Sequence, residues 1–499
     1  MCKCTAILTV IVITAEIRQR AGRQEGKWKA SRQKAEGKRE GRRNKEEVYL
    51  WGRINVSGNF MKAADFEIKE LGRANSRSPL NDEGRCKPLF GFVTDHDRIL
   101  YETSLLKFEK FRESGQIPIS FEKAGPREFV YFQPSKTKIG IVTCGGLCPG
   151  LNNVIRSIVM AAHYRYGVKN IIGFQYGYEG LNPDLDHAVI DLTPEVVSQI
   201  HHIGGSILGS SRGNQDVSRM VDTLEMMNIN ILFTIGGDGT LRGAHAIHEE
   251  ITRRGLKIAV AGIPKTIDND INLIDKSFGF ETAFTIANEV IRNAHNEASG
   301  AYNGIALVKL MGRNSGFIAA HAALSIQEVN FVLVPEMSFS LDGPDGFIEV
   351  LRKRLATRHH ALVVVAEGAG QDFFKGEAME KDPSGNIKLK DIGLYLKDKI
   401  SEKFKADKFP FALRYIDPSY IIRSAPANAN DSKFCSLLAQ NAVHAVMAGK
   451  TDFVAGHWNN EFTLLPIPVA VAKQKKIDIN GELWWNVLEA TGQPAMKEC

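Results

Sequence analysis

The stretch Gly262-Ile263-Pro264-Lys265-Thr266-Ile267-Asp268-Asn269-Asp270 places two carboxylates in a turn that directly follows an apolar run at residues 257–261. A second apolar run, at residues 231–235, leads into the acidic turn Gly236-Gly237-Asp238-Gly239-Thr240, about thirty residues earlier. Two strand-then-acidic-turn units at this spacing predict neighbouring strands of one parallel sheet. Their carboxylates should then converge at the carboxyl edge, where open α/β sheets bind ligands. One carboxylate can hold Mg²⁺ while another takes a proton from an alcohol, as phosphoryl transfer requires.

From residue 138 onward, apolar β-branched runs alternate with amphipathic stretches of helical length. The predicted strands lie at residues 138–143, 229–235, 257–263, 304–310, 330–334 and 361–366, and the predicted helices include 150–166, 216–227, 242–254, 281–297 and 315–325. This alternation predicts βαβ units around parallel sheets, and so an α/β fold. With 499 residues, of which 43% are hydrophobic, the chain is long enough for two domains with complete cores.

The net charge of +6 is unevenly distributed along the chain. Residues 1–47 carry 13 Lys and Arg against 6 Asp and Glu, a balance of +7, which leaves 50 against 51, or −1, for the remainder. The basic character therefore belongs to the N-terminal tail, and the composition argues against a nucleic-acid-binding protein. Membrane insertion is not expected either, because the apolar run at residues 5–15 is much shorter than the ~20 residues that span a bilayer.

The tail is poor in apolar residues after position 16 and rich in Lys, Arg, Gln, Glu and Gly, so we expect disorder over residues 1–47. Its basic stretch and the absence of a clean cleavage site argue against a secretion signal, and its acidic residues fit a transit peptide poorly. The seven cysteines are odd in number and form no zinc-like pair of pairs, which favours a reducing compartment. We expect a cytoplasmic protein; a plastid location, if the tail is an address, and a mistranslated upstream region are the alternatives.

A glycine turn, Gly145-Gly146-x-x-x-Gly150, follows the predicted strand at 138–143 and opens a predicted helix. Glycines let backbone N–H groups approach a phosphate, and the helix N-terminus adds partial positive charge. The turn is not a Walker A loop, since no Gly-Lys-Ser/Thr follows. Taken alone, this pattern is about as typical of a tight βα turn that binds nothing.

The other candidate residues also have structural explanations when they are considered singly. Asp238 or Thr240 could cap a helix, and Asp268 and Asp270 could stabilise an Asx turn. Arg212, in a loop rich in Ser and Gly, could be one more exposed arginine, although its planar fork suits two phosphates at once.

The order of the motifs favours function over these explanations. The two acidic turns, together with five other motifs, resemble the 6-phosphofructokinase family over residues 90–495. The residues of these motifs are most similar to those of the plant-type, long-chain, ATP-using branch. The other motifs are Gly145-Gly146-Leu147-Cys148-Pro149-Gly150-Leu151-Asn152, Leu208-Gly209-Ser210-Ser211-Arg212, Met311-Gly312-Arg313, Ala366-Glu367-Gly368 and Pro418-Ser419-Tyr420-Ile421-Ile422-Arg423.

The resemblance implies two doubly wound, Rossmann-like domains with parallel sheets and an active-site cleft between them. It implies a nucleotide-binding domain at residues 137–279 plus about 431–475 and a sugar-phosphate-binding domain at 280–430 plus about 476–499, after an extension at 48–136. By the same resemblance, the substrates are ATP and fructose 6-phosphate, the cofactor is Mg²⁺, and the protein is an allosteric, glycolytic kinase that forms a homo-oligomer, expected to be a homotetramer.

The resemblance also implies residue roles. The catalytic residues are Asp268, as the base for the sugar's primary hydroxyl, with Thr266, Asp270 and Arg212. Nucleotide is bound by Gly145, Arg212, Gly213, Gly237, Asp238, Gly239 and Thr240, of which Asp238 orients the metal. Sugar phosphate is bound by Thr266, Ile267, Asp268, Met311, Gly312, Arg313, Glu367, Tyr420, Ile421, Ile422 and Arg423.

The phosphoryl donor is implied by two positions, Gly239 and Lys265. Pyrophosphate-using relatives carry Asp at the position of Gly239, and a carboxylate there would repel the α-phosphate of ATP. Lys265 is similar to the residue of the pyrophosphate users, so a pyrophosphate-dependent enzyme is the nearest alternative. A NAD or lipid kinase that shares only Gly-Gly-Asp-Gly-Thr, and an inactive regulatory subunit, are more distant ones; the subunit would be expected to lack Asp238 or Asp268.

Overall fold

The computed structural model describes residues 54–56, 59–81, 91–115, 117–376, 380–381 and 387–494. The expected disordered tail at 1–47, and with it the question of a targeting signal, lies outside the described residues. The chain divides into two compact units, Met1–Ala63 with Leu100–Ile119 and Ala64–Ile99 with Ser120–Cys499. Across the described ranges, no helix combines the length and apolar character needed to cross a membrane.

The described strands, in chain order, are β1 (Ile54–Val56), β2 (Asn59–Met61), β3 (Lys69–Glu70), β4 (Ser76–Arg77), β5 (Arg98–Leu100), β6 (Ser120–Lys123), β7 (Phe129–Val130), β8 (Lys138–Thr143), β9 (Asn170–Phe174), β10 (Val189–Asp191), β11 (Ile231–Gly236), β12 (Ala259–Pro264), β13 (Gly304–Leu310), β14 (Phe331–Leu333), β15 (His360–Ala366), β16 (Ala412–Ile416), β17 (Lys450–Thr451), β18 (Phe453–Trp458) and β19 (Glu461–Pro466).

The described α-helices are α1 (Leu105–Ser114), α2 (Leu151–Ala161), α3 (Val217–Met226), α4 (Asp238–Arg253), α5 (Phe280–Ser299), α6 (Phe317–Ile326), α7 (Phe347–Arg358), α8 (Ile392–Ala406), α9 (Ser419–Ser424), α10 (Ala429–Met447), α11 (Ile467–Ala470) and α12 (Glu482–Thr491). A π-helical turn at Ala162–Tyr166 continues α2. The smaller unit contains the β1–β2 hairpin and α1, which ends at Gly115 in the left-handed conformation.

The first large sheet has nine strands in the order β10-β9-β8-β11-β12-β18-β19-β6-β5. Its centre is parallel, and β11 pairs with β12 in register from Ile231 opposite Ala259 to Gly236 opposite Pro264. The prediction that the two acidic turns follow neighbouring parallel strands is therefore confirmed. Helices α2 and α10 pack against each other near this sheet, and α3 packs against α4, which contacts β11 and β12.

The edge of this sheet differs from the expected parallel arrangement, because β18 and β19 form an antiparallel hairpin and β6 pairs antiparallel with β19. Two residues, Asn459 and Asn460, connect β18 to β19 with φ of 48° and 66°. Positive φ at both positions matches the twist of the flanking strands, and asparagine tolerates that conformation. The periodicity of helices and strands did not predict this hairpin. The Asn-Asn pair between two apolar runs is the local pattern that indicates it.

The second large sheet is wholly parallel, with the order β14-β15-β13-β16. Successive residues of β13 and β15 point to opposite faces: Ala306 and Leu362 belong to one buried cluster, and Ile305 and Ala361 to another. Helices α5 and α6 pack on this sheet, as do α7 and α8. Because helices cover both faces with buried apolar side chains, the α/β, doubly wound fold class is confirmed.

Asp431 connects α10, which packs beside the first sheet, to α5, which packs beside the second. Its carboxylate is fully buried and accepts hydrogen bonds from the backbone N–H of Thr282 (2.7 Å) and from the Thr282 hydroxyl (2.6 Å). Asn428 caps α10 by accepting from the Asp431 N–H at 2.9 Å, and its own N–H donates to the Thr282 hydroxyl at 3.0 Å. The two helix N-termini are thereby fixed to each other close to the loops described next.

Candidate functional site

The loop after β12 contains the predicted residues Thr266, Asp268 and Asp270. The Thr266 hydroxyl donates to Asp270 Oδ1 at 2.8 Å and accepts from the Asp268 N–H at 3.2 Å. Between the two carboxylates, Asn269 has a φ of 53°, and its side chain donates to the carbonyl of Asp275 at 3.1 Å and accepts the Ser277 N–H at 3.0 Å. The loop is therefore held by its own side chains, and Ile267 anchors it in the core.

Asp268 joins this loop to the loop that follows β13. Its Oδ2 accepts the backbone N–H of Arg313 at 3.2 Å, and its carbonyl accepts the Ser315 hydroxyl at 3.0 Å. Burial raises the pKa of Asp268 to about 7, and the nearby carboxylates of Asp270 and Glu367 add to this effect. The Arg313 N–H and the charge of Arg423 act in the opposite direction without cancelling it.

Asp270 has a similar environment with different partners. Burial raises its pKa above the ordinary range, against the stabilising hydrogen bond from Thr266. The charge of Asp238 raises this pKa further, and the charge of Lys475 lowers it. The acidic turns at Asp238 and at residues 268–270 are thus close enough to influence each other, as their positions after neighbouring strands predict.

Met311-Gly312-Arg313 follows β13 and lies beside Glu367, which follows the adjacent strand β15. The Glu367 N–H donates to the carbonyl of Leu310 at 2.9 Å, and the Gly368 N–H donates to the carbonyl of Gly312 at 3.0 Å. Gly312 has a φ of 129°, a conformation that requires glycine. Met311 is buried. Burial raises the pKa of Glu367, and the charges of Arg423, Lys309 and Arg313 reduce that rise.

The glycine turn after β8 lies against Lys265 and the Ser-Ser-Arg loop. Gly145 has a φ of 84°, and its N–H donates to the carbonyl of Ser211 at 2.9 Å. The Lys265 ammonium donates to the carbonyl of Gly146 at 2.7 Å, and a Cβ at Gly146 would lie 3.0 Å from the Arg212 guanidinium. Burial lowers the pKa of Lys265 below its ordinary range. Gly213 completes this loop with a φ of 113°.

Gly237, Asp238, Gly239 and Thr240 form the start of α4, which begins at Asp238 and not near residue 242 as predicted. Asp238 is bonded to Arg242 one helical turn later, at 3.0 Å. Thr240 is buried, and its carbonyl accepts the Tyr178 hydroxyl at 2.6 Å. A Cβ added at Gly239 would have no atom within 4 Å, so this glycine faces open space.

The predicted residues of α9 differ in their surroundings. Arg423 acts electrostatically on both Asp268 and Glu367. The structure therefore brings it close to the loop after β12 that carries Asp268 and Asp270, called the acidic loop below. The side chains of Tyr420 and Ile421 are 84% and 65% exposed, whereas Ile422 is completely buried. The structure does not bring these three to the carboxylates, and their predicted contact with sugar phosphate stays a prediction.

Ser315 and Lys475 are among the residues that contact the predicted ones and that sequence reasoning missed. Lys475 donates its backbone N–H to the carbonyl of Asp270 at 2.8 Å, and Ser315 donates its hydroxyl to the carbonyl of Asp268. Ser315 lies two residues after Arg313 and could have been found by extending that motif. Lys475 is about two hundred positions from Asp270, and no local pattern marks it.

A magnesium ion fits the donor chemistry at Asp238. This carboxylate is a hard oxygen ligand, and its side chain is 34% exposed, next to the open space at Gly239. The described part of the chain contains no group of three or more His, Cys, Asp or Glu residues that could hold a metal. Proteins commonly bind Mg²⁺ through one or two carboxylates together with substrate phosphates, which is the arrangement that a single Asp238 suits.

The fold and the site define an α/β protein with paired sheets, whose glycine turns and buried carboxylates meet at strand ends. A model of the phosphofructokinase family matches residues 138–446. An ATP-dependent 6-phosphofructokinase from Borreliella burgdorferi is 51% identical over 440 residues, covering 86% of this chain and 97% of that protein. ATP-dependent 6-phosphofructokinase 1 from Arabidopsis thaliana is 49% identical over 84% of this chain and 87% of its own length. The chain belongs to the phosphofructokinase family.

Solved structures agree at the level of the fold. A pyrophosphate-dependent phosphofructokinase from Marinobacter aquaeolei superposes with a TM-score of 0.59 over 73% of this chain and 92% of that one, at 18% identity. The T-state phosphofructokinase of Pichia pastoris gives a TM-score of 0.57 over 68% of this chain and 36% of that one, at 23% identity.

The raised pKa of Asp268 predicts a pH-dependent stability. Between about pH 4 and its folded pKa of about 7, the native state holds a proton that the unfolded chain releases. Stability therefore falls as the pH rises through this window, and at pH 8 the full penalty is present, on the order of a few kcal/mol. Asp268→Asn should raise the thermal unfolding midpoint at pH 8, lose about half of that gain by pH 5.5 and lose most of it by pH 4.5.

Asp417 gives the control with the opposite sign. Burial would raise its pKa, but hydrogen bonds from Ser419 and Lys309 outweigh burial and lower it. Asp417→Asn should therefore reduce the midpoint at pH 8. If Asp268→Asn were no more stable than the parent protein at pH 8, the account of Asp268 as a strained, buried carboxylate would be wrong.

Proposed function

We propose that this protein is an ATP-dependent 6-phosphofructokinase, which moves the γ-phosphate of ATP to the 1-hydroxyl of fructose 6-phosphate and gives fructose 1,6-bisphosphate and ADP. The observation that carries the proposal is the buried Asp268 carboxylate, with a pKa of about 7, between the loops after β12 and β13. Relatives that are 45–51% identical and carry the name ATP-dependent 6-phosphofructokinase support it. The reaction belongs to glycolysis.

Asp268 is the general base in this mechanism. A base is most effective when its pKa is close to the working pH, because it is then ionised and still binds a proton readily. Burial together with the carboxylates of Asp270 and Glu367 supplies that condition. The Arg313 N–H holds one carboxylate oxygen, which leaves the other to take the proton of the sugar's 1-hydroxyl. Thr266 fixes Asp270 and positions the substrate hydroxyl.

The sugar phosphate is bound by the loops of the second sheet. Arg313 and Arg423 provide positive charge for its 6-phosphate, since guanidinium groups suit phosphate geometry. Glu367 accepts hydrogen bonds from sugar hydroxyls, with Met311 and Gly312 forming the floor of the site. Ile267, Tyr420, Ile421 and Ile422 complete the set of proposed sugar-phosphate residues.

ATP is bound by the turns of the first sheet. Gly145, Gly237, Gly239 and Thr240 let its phosphates approach the backbone at the start of α4, where the helix N-terminus favours negative charge. Arg212 and Gly213 lie between nucleotide and sugar phosphate, and Arg212 stabilises the charge on the transferred group. Asp238 would hold a Mg²⁺ ion, which neutralises phosphate charge during the transfer.

The assembly and the location are proposals of the same kind. We also propose a nucleotide-binding domain at 137–279 plus about 431–475 and a sugar-phosphate-binding domain at 280–430 plus about 476–499. We propose a homo-oligomer, expected to be a homotetramer, that acts in the cytoplasm. A plastid location is the alternative, since relatives include a protein named as chloroplastic.

Pyrophosphate is the second candidate phosphoryl donor because Lys265 is similar to the residue that pyrophosphate users carry at this position. The structure places this lysine, buried, beside Gly146. Supplied with fructose 6-phosphate and Mg²⁺, the purified protein should release fructose 1,6-bisphosphate with ATP and at most a few per cent as fast with pyrophosphate. An aldolase-coupled assay measures both rates. A faster reaction with pyrophosphate would refute ATP as the donor, and no product with either would refute the proposed function.

Gly239 should determine the choice of donor. Gly239→Asp places a charge in open space that ATP phosphates are proposed to occupy, and repulsion of a few kcal/mol should lower kcat/KM for ATP roughly a hundredfold or more. Gly239→Asn has the same size without the charge and separates the two effects. The electrostatic account fails if the Asn variant loses as much activity as the Asp variant, or if neither loses any.

Asp268→Asn should lower kcat by about 10²–10⁴, the usual contribution of a general base, while the KM values for ATP and fructose 6-phosphate change little. The rate of the parent enzyme should fall below pH 7 as Asp268 becomes protonated. Asp345→Asn, at an exposed carboxylate, is the control and should behave like the parent. Turnover of Asp268→Asn within a few-fold of Asp345→Asn would contradict the assignment.

A further inference from the structure

The segment at residues 474–477 contacts the acidic loop through Lys475. The backbone N–H of Lys475 donates to the carbonyl of Asp270 at 2.8 Å. Its ammonium donates to the carbonyls of Ile274 (2.6 Å) and Asp275 (3.0 Å) and lies 5.2 Å from the centre of the Phe317 ring. One side chain and its peptide therefore hold the loop after β12 at three carbonyl oxygens.

The same segment is fixed to the loop after β13 through Glu336. The Ile477 N–H donates to Glu336 Oε1 at 2.9 Å, and the Gly316 N–H donates to both oxygens of this carboxylate at 3.1 Å. Gly316 follows Ser315, whose hydroxyl donates to the carbonyl of Asp268. The 474–477 segment is thus bonded to both loops that meet at Asp268.

The loop after β12 has other fixed points between residues 270 and 275: Ile271 forms a backbone bridge with Gln474, the side-chain amide of Asn272 donates to the carbonyl of Val469 at 3.3 Å, and Ile271, Leu273 and Ile274 are buried. Its own contribution is Asn269, which donates to the carbonyl of Asp275, the oxygen that Lys475 also contacts. The backbone N–H of Asp275 donates to the carbonyl of His457. Without the Lys475 ammonium, the carbonyl of Ile274 loses the donor described here and that of Asp275 keeps only Asn269, so the loop that carries Asp268 is held less firmly at Ile274 and Asp275.

We propose that Lys475 is a positioning residue for Asp268, and that the 474–477 segment keeps the two loops in the geometry that proton removal needs. This inference rests on the proposed function. Lys475 itself contacts no reacting atom in this scheme, and it acts through the peptide groups of residues 270–275.

The charges around the Lys475 ammonium partly offset the cost of burying it. Burial lowers the pKa of Lys475 to about 8, and the carboxylates of Asp275 and Asp270 oppose that shift. His321, which also faces the amine, has its own pKa lowered by burial and by Lys475. Desolvation of an ammonium group is tolerated where its hydrogen bonds compensate, and the carbonyls of Ile274 and Asp275 provide two of them.

Lys475→Met tests the proposal, because it removes the ammonium and keeps the backbone N–H and most of the apolar stem. A misplacement near 1 Å at a catalytic group commonly reduces turnover about a hundredfold, so kcat should fall by about 10–100-fold. The KM for ATP should stay within about threefold, since the nucleotide turns lie elsewhere. Lys476→Met is the matched control at an exposed neighbour and should equal the parent.

Hydrogen–deuterium exchange gives a readout that does not depend on catalysis. Amides of residues 270–276 should exchange several-fold faster in Lys475→Met than in Lys476→Met, because the loop opens more often. If the parent protein transfers no phosphate, the proposed function fails, and exchange still decides whether Lys475 holds the loop. Unchanged exchange together with kcat within twofold of the control would overturn the inference.

Lys475→Gln covers the case in which the Met variant does not fold. Its amide can still donate to one carbonyl, so kcat should fall at least fivefold, less than in a folded Met variant, with the KM for ATP unchanged. A Gln variant with the parent kcat would overturn the proposal. So would a Gln variant in which kcat falls and the KM for ATP rises together, since that pattern indicates general damage to the site.

Discussion

The site depends on one hydrogen bond, from the backbone N–H of Arg313 to the carboxylate of Asp268. It connects the loop after β12 in the first sheet to the loop after β13 in the second. The carboxyl ends of the two strands must therefore lie close to each other. The N-terminus of α5, the helix between those strands, is held by the buried carboxylate of Asp431. A long, well-packed scaffold therefore fixes a contact of about 3 Å between two loops.

The same burial that fixes this contact also makes it electrostatically unfavourable. Acids in the site have raised pKa values, as at Asp268, Asp270 and Glu367, and lysines have lowered ones, as at Lys265 and Lys475. In each group desolvation outweighs the attraction of the neighbouring opposite charges. Stability at neutral pH is reduced in exchange for a carboxylate that can accept a proton near pH 7, a conflict typical of catalytic sites.

Much of this arrangement could be predicted from the sequence, because it follows from local patterns. The strand at Lys138–Thr143 and the strand at Gly304–Leu310 have the bounds that their apolar runs predict. Helix α10 was not predicted, although its buried residues Phe434, Cys435, Leu438, Ala439, Ala442 and Val443 recur at helical spacing. Lys475 could not be predicted at all, because its contacts depend on the return of the chain to the loop after β12. Local chemistry is readable in the sequence, whereas partners that are distant in the chain are set by tertiary packing.

Some glycines of the site are required by the backbone conformation, and one is not. Gly145 and Gly312 have positive φ, so the fold itself requires glycine at both, and a Cβ at Gly146 would press on the flexible end of the Arg212 side chain. Gly239 has neither reason: it lies in the first turn of α4, and a Cβ there would meet no atom within 4 Å. Glycine inside a helix costs up to about 1 kcal/mol relative to alanine. In return, the surface beside Asp238 stays open at the start of α4, which is the room that the proposed ATP phosphates need.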